Sequence, residues 1–275
     1  MDRMSSPAPV PSLCRERFLD RVARAVAYIR QNGGREVPLP ELAEVSGLSE
    51  AYLDRVIFDL VGATPRQIAK AVRDDPEAAH RPPQHPGSPT GLEVPLSMGT
   101  FTNAEGHPQW TMQTHSFGEV AVRLVEMPDM SLACVRYIGQ YMGVGQAFRL
   151  LYCWALENRL MTPESLVLGL YHDCPGDTAP EELRSDACLT VPPGTEPSVP
   201  VTIRALASRG TYACGRFVFR DARNFPLAWK TMTAGWLPAS GLQFDNRPVF
   251  EIYRGDPLML DDTFRIDVCL PVKPL

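Results

Sequence analysis

The second half of the chain repeats itself. One offset, 82, separates Trp154 from Trp236 and Tyr171 from Tyr253; Cys188 and Cys269 are offset by 81, and Ala133-Cys134 precedes Ala213-Cys214 by 80. Around these anchors one order of patterns recurs: an apolar strand, a glycine-containing loop, a helix carrying the tryptophan, then two more strands. Two copies of one β-α-β-β unit imply a pseudo-twofold domain with an antiparallel sheet and a shared cleft where the copies meet. Clefts between such units are common small-molecule sites, so the shared cleft is where function is expected.

Bulk properties narrow the classes. A chain of 275 residues, 44% hydrophobic and 21% charged, suits two soluble globular domains. The net charge of −5 argues against a dominant nucleic-acid surface, which would usually be basic. The seven cysteines are scattered, odd in number and contain no CxxC pair, which points to a reducing, cytoplasmic setting with free thiols. No apolar run approaches the roughly 18 residues of a membrane span, and the Pro/Ser-rich residues 1–14 read as a disordered leader.

Helical spacing governs the N-terminal part. Phe18, Val22, Ala25, Val26 and Ile29 share one face between Arg15 and Gln31, and Asn32-Gly33-Gly34 ends that helix. A short helix over Glu41–Val45 leads to a turn at Ser46-Gly47. Ser49 is expected to N-cap the next helix, through Tyr52, Leu53, Val56, Ile57 and Leu60 to Gly62. Thr64-Pro65 opens another. A short helix, a glycine turn and a longer helix make a helix-turn-helix.

The stretch LPELAEVSGLSEAYLDRVIFDLVGATPRQI resembles the first half of an AraC/XylS-type DNA-binding domain. Ala43, Gly47, Leu48, Ser49, Leu53, Arg55, Gly62 and Pro65 fit that pattern, and Ile57 replaces its usual Phe. The resemblance implies a single helix-turn-helix over 15–73 with Ser49, Tyr52, Arg55 and Arg66 as DNA contacts. The family's second unit is missing: residues 74–116, rich in Pro, His and Gly at their start, read as a linker. Between Glu41 and Leu60, Arg55 is the one base against five acids. Phosphate contacts supply most non-specific affinity, so this helix is handicapped as a DNA reader. Arg55 has an alternative role, pairing with Glu44 or Asp59.

In the strand around Glu251, side chains alternate, so Val249, Glu251 and Tyr253 share a face. The first copy offers Val167, Gly169 and Tyr171 there. The twofold is expected to set Tyr253 opposite Tyr171 and Glu251 opposite Gly169. Two aromatic walls, one carboxylate and one empty position suit a flat or cationic molecule through stacking and cation–π attraction. The phenols have a plain alternative as core residues. The order W-L-P-x-S-G followed by P-x-F-E-x-Y, in AGWLPASGLQFDNRPVFEIYRGDP, resembles a GyrI-like effector-binding domain, expected over 117–275. That resemblance implies two such β-α-β-β units around a central ligand cavity, with a ligand-facing acid at Glu251. Trp236 is expected to cover the pocket, or to hold the WLP turn by packing; Tyr137 and Tyr141, flanking the first glycine loop, are expected to line it. Trp154 reads as core.

The fold class expected is therefore α+β, and the leading function is a transcription regulator whose effector domain binds an aromatic, hydrophobic or cationic small molecule. Its partners would be that effector and operator DNA, with a homodimer supplying two reading helices. One alternative is a binding or sequestering protein that has lost DNA recognition. Another is a GyrI-like hydrolase of electrophilic genotoxins, with Glu251 as base and Tyr171 or Tyr253 as proton donor. No cofactor or metal site is expected, since His172-Asp173-Cys174 are adjacent residues with no partner cluster.

Overall fold

The computed structural model describes residues 11–75, 97–102, 108–114, 120–255 and 263–275, with backbone only for residues 11–12, 97–102 and 108–114. The expected leader lies mostly outside them. The first helix, α1 (Pro11–Gln31), starts ahead of Arg15, where periodicity would begin it, because proline is tolerated in a first helical turn. Helices α2 (Leu39–Ser46), α3 (Leu53–Val61) and α4 (Pro65–Asp74) follow. Gly47 ends α2 in the left-handed region at φ 68°. Thr64 and Gln67 form a reciprocal capping box at the start of α4.

Ser49 does not cap α3. The helix begins at Leu53, after Tyr52 in a left-handed conformation (φ 57°). The Ser49 N–H donates instead to Gln243 Oε1 at 2.9 Å. Residues 97–102 and 108–114 of the expected linker also hold structure: β1 (Ser97–Thr102) pairs antiparallel with β2 (Pro108–Thr114). Their Thr, Phe, Trp and Met content favours strands, a signal hidden by the Pro-rich stretch before them.

The chain divides into two compact units. Unit 1 comprises residues 1–115, 230–244 and 273–275; unit 2 comprises 116–229 and 245–272. Unit 1 therefore contains part of the second repeat: a π-helix (Thr231–Trp236), a short helix Leu237–Ser240 and a strand Leu242–Phe244. Within it Phe18, Val22, Ile29, Leu42, Leu53, Ile57, Leu60 and Leu237 are buried. Among the described residues, no helix is long and apolar enough to cross a membrane.

Unit 2 is built on strands β3 (Val122–Met127), β4 (Met130–Ile138), β5 (Val167–Tyr171), β6 (Arg184–Thr190), β7 (Thr202–Leu206) and β8 (Gly210–Phe219). The strand Leu242–Phe244 of unit 1 counts as β9, and β10 (Phe250–Tyr253) and β11 (Phe264–Pro274) complete the set. The antiparallel order is β3-β8-β11-β10-β5-β6-β4-β7. This order is a palindrome: exchanging each strand for its repeat equivalent reverses it. It contains one strand per copy that the sequence pattern does not reveal. β3 precedes the first copy yet pairs with β8 of the second, and β7 precedes the second yet pairs with β4 of the first. The halves are thus interleaved by hydrogen bonds.

Register places the symmetry axis. Glu251 pairs directly with Gly169, its own equivalent in the first copy, so the twofold passes between them. One face of the sheet carries Ala133, Val135, Ala187 and Leu189, packed against Phe148, Leu151 and Ala155 of helix α5 (Gly145–Glu157). The second copy's helix, α6 (Phe225–Lys230), occupies the equivalent place in the chain. The other face carries Leu168, Leu170, Phe250, Ile252 and two cross-strand cysteine pairs, Cys134/Cys188 and Cys214/Cys269.

That other face also holds a duplicated ionic cluster. Asp267, 1% exposed, binds Arg216 and Arg254 at 2.8 and 2.9 Å. Its equivalent Asp186, also 1% exposed, binds Arg136 at 2.5 Å, Arg204, and His172 Nε2 at 2.6 Å. Burial and the guanidinium groups of Arg136, Arg204 and Arg184 push the His172 pKa down to about 4, so a neutral imidazole donates to Asp186. A histidine whose folded pKa lies below its unfolded value loses stability as pH falls. We expect unfolding free energy to drop by up to about 3 kcal/mol between pH 6.5 and pH 4 through this group. His172→Gln should flatten that limb in urea titrations; an unchanged limb contradicts the assignment.

Candidate functional site

The site lies on the symmetry axis, on the helix-bearing face of unit 2. Glu251 is 1% exposed. A carboxylate buried to that degree needs partners for its oxygens, and three side chains supply them. Trp229 Nε1 donates to Oε1 at 2.5 Å. The Tyr253 and Tyr171 hydroxyls lie 2.7 and 3.0 Å from Oε2. The two hydroxyls are also 2.8 Å from each other. Two phenolic protons cannot fill three O···O contacts, so one contact is always a lone-pair approach and the triangle can rearrange its protons.

Gly169 makes the triangle possible. A Cβ there would sit 3.1 Å from Tyr171 Oη and 3.2 Å from Tyr253 Cε2, tighter than ordinary contact. The two phenols meet hydroxyl to hydroxyl across the axis, but not as register partners: Tyr253 pairs with Val167. Antiparallel pairing centred on Gly169 and Glu251 puts the tyrosines diagonally, and their rings converge over the glycine. Burial, with the Glu251 charge added, holds both phenols well above the ordinary tyrosine pKa. Both are protonated donors at neutral pH.

An aromatic shell surrounds the triangle. Tyr141 meets Tyr171 edge-on at 4.9 Å and its hydroxyl donates to the Asp173 carbonyl at 2.8 Å. Phe148 meets Tyr253 at 4.9 Å, and Trp229 stands edge-on to Tyr171 at 6.2 Å. Tyr137 points over the glycine loop, where a side chain at Gly143 would collide with its hydroxyl. Tyr141 is therefore an immediate neighbour of the triangle, while Tyr137 lies one strand beyond β6.

The tryptophan at the carboxylate is Trp229 and not Trp236. Trp236 is half-buried in unit 1, at the end of the π-helix. Two turns of a regular α-helix would bring both tryptophans to the same face, but the wider π turns between them break that phase. Trp154 is core, 8% exposed, with Nε1 donating to Ser198 Oγ at 2.7 Å.

The unit 1 candidates are engaged within that unit. Tyr52 packs on Phe244 with ring centroids 5.1 Å apart. Arg55 Nε bonds Asp59 Oδ2 at 2.8 Å, the alternative to a DNA role. Asp59, 3% exposed, also accepts from Thr233 Oγ1 at 2.6 Å. No residue of α3 is exposed: each is buried or half-buried. Arg66 alone of the four is exposed, 3.3 Å from Glu36.

Residues 121–273 match the model for the GyrI-like small molecule binding domain. The chain belongs to this family. A DNA gyrase inhibitor of Edwardsiella ictaluri is 30% identical over 139 residues, covering 49% of this chain and 87% of that protein. The Cronobacter turicensis DNA gyrase inhibitor is 32% identical over 133 residues, covering 47% and 82%. Among solved structures, the EcmrR C-terminal domain is 12% identical with a TM-score of 0.44, covering 57% of this chain and 99% of that one. The matched span contains every residue of the described site, from Tyr137 to Tyr253.

Proposed function

We propose that the chain is a small-molecule binding protein whose GyrI-like domain captures an aromatic cation on Glu251. One observation carries the reading: a carboxylate 1% exposed is held by an indole N–H and two phenols inside an aromatic shell. These donors are neutral, so they solvate the charge without cancelling it. A cation arriving between the rings adds direct charge attraction, and the tyrosines and Trp229 offer π faces on the way. The triangle opens by rotating phenols, since its third contact is not a fixed hydrogen bond.

Calorimetric titration with tetraphenylphosphonium and with tryptamine tests this. Saturable binding of at least one cation at unit stoichiometry is expected. Absence of saturation with both discards the reading.

Transcription control through the N-terminal helices is the reading we favour less. α3, the helix that would read an operator, has only buried or half-buried residues. A gel shift against its own upstream DNA at low salt is expected to show no more retention than scrambled DNA. Specific retention would restore the regulator, with the aromatic-cation site as its input. The hydrolase reading uses the same Glu251 and would show as turnover rather than simple saturation.

A further inference from the structure

The two halves of the site are not chemically equal. On β6, the register puts Ser185 directly between Tyr171 on β5 and Tyr137 on β4. Alternation therefore turns Ser185 toward the same face as Tyr171 and Glu251. Its equivalent in the second copy is Ile266, buried beside Phe217 and Tyr253. Tyr137 likewise has Phe217 as its equivalent in the second copy. One wall is hydroxylic. The other is hydrocarbon, where Phe225 packs on Phe219 and Phe264 at 4.9 and 5.1 Å.

Ser185 is 0% exposed and its Oγ has no hydrogen-bond partner among the described residues. Two neighbouring hydroxyls are committed elsewhere, Tyr171 to Glu251 and Tyr253 and Tyr141 to the Asp173 carbonyl, and that of Tyr137 lies over the glycine loop. A buried hydroxyl left unpaired is costly. The fold itself does not require a hydroxyl there, because the equivalent position is filled by an isoleucine. An orphan donor-acceptor facing a binding site is explained by a group that arrives with the ligand.

We infer that Ser185 is a specificity-determining residue, which hydrogen-bonds a hydroxyl on an aromatic ammonium ligand whose charge sits on Glu251. The inference rests on the proposed binding function and names its ligand class more narrowly: a cation at one end, a hydroxyl at the other. Glu251 pairs with Gly169 and Gly169 with Ala187, two positions along β6 from Ser185. Strand spacing and rise then separate the two Cα atoms by about 12 Å, a span that suits an aminoethyl-indole bearing a ring hydroxyl. The hydrocarbon wall takes the unsubstituted ring edge.

The test compares tryptamine with 5-hydroxytryptamine by calorimetry on the full chain, with tetraphenylphosphonium as a cation that lacks hydrogen-bonding groups. The wild type should prefer the hydroxylated amine by about five- to tenfold. Ser185→Ala should bring that ratio to about one, and Ser185→Thr, which keeps the hydroxyl, should retain it. A purely structural serine would change both affinities together and leave the ratio intact, which overturns the inference. So does a wild type that binds the two amines equally, or one that binds tetraphenylphosphonium and neither amine. If none of the three cations binds, the binding function itself fails and the role of Ser185 falls with it.

Discussion

Glu251→Gln is expected to lower the affinity for tetraphenylphosphonium by at least about 100-fold. The carboxylate is buried, so its attraction for a cation is weakly screened compared with a surface acid. The amide keeps the volume but removes the charge. It also brings an N–H₂ group into a ring of donors formed by Trp229 Nε1 and two protonated phenols. At least one donor then faces another, and the triangle above Gly169 must reorganise. The same variant separates binding from hydrolysis. Loss of affinity supports the binding account, whereas retained affinity with lost turnover would make Glu251 a general base. Calorimetry of the variant, with circular dichroism to show that it folds, supplies both answers.

The second large effect lies in unit 1. Asp59→Ala is expected to destabilise the protein by about 3 kcal/mol. It leaves Thr233, 0% exposed, without its 2.6 Å acceptor, and it removes the carboxylate that Arg55 Nε bonds. A double-mutant cycle with Thr233→Val should show coupling above about 1 kcal/mol, since the two side chains touch. A reading helix waiting for DNA would give a different result. Its polar residues would face solvent, and removing one would change stability by less than about 0.5 kcal/mol. Urea unfolding of the two single variants and the double variant decides between these outcomes.

How far the molecule is legible in its sequence depends on which forces set each feature. Strand alternation is local, so Glu251 and Tyr253 are assignable to one face, and the repeat offset matches Glu251 with Gly169. The diagonal placement of Tyr171 is not assignable, because register comes from pairing and not from periodicity. β3 and β7 are invisible as repeat members because each bonds to the other copy. Trp229 escapes notice beside Trp236 because a π-helix shifts phase without any mark in composition. The largest departure is the allegiance of residues 230–244. Their apolar residues read as part of the second repeat, but Thr233, Gln243 and Phe244 bond or pack with Asp59, Ser49 and Tyr52. The largely buried α3 that results explains its apolar residues: Val56, Ile57, Leu60 and Val61 serve packing, and Asp59 accepts from Arg55 and Thr233. Ser185 carries a faint signal, a serine where the other copy has isoleucine, and only its unpaired burial gives that difference meaning.

The most direct test of the account is a paired titration of the wild-type chain with tetraphenylphosphonium and tetraphenylborate, ions of matched size and shape but opposite charge. Both can stack on the tyrosines and Trp229, so ring contacts alone treat them alike. A site organised around the negative charge of Glu251 binds the phosphonium saturably and leaves the borate unbound. Equal affinity for the two ions, or binding of the borate alone, would contradict it.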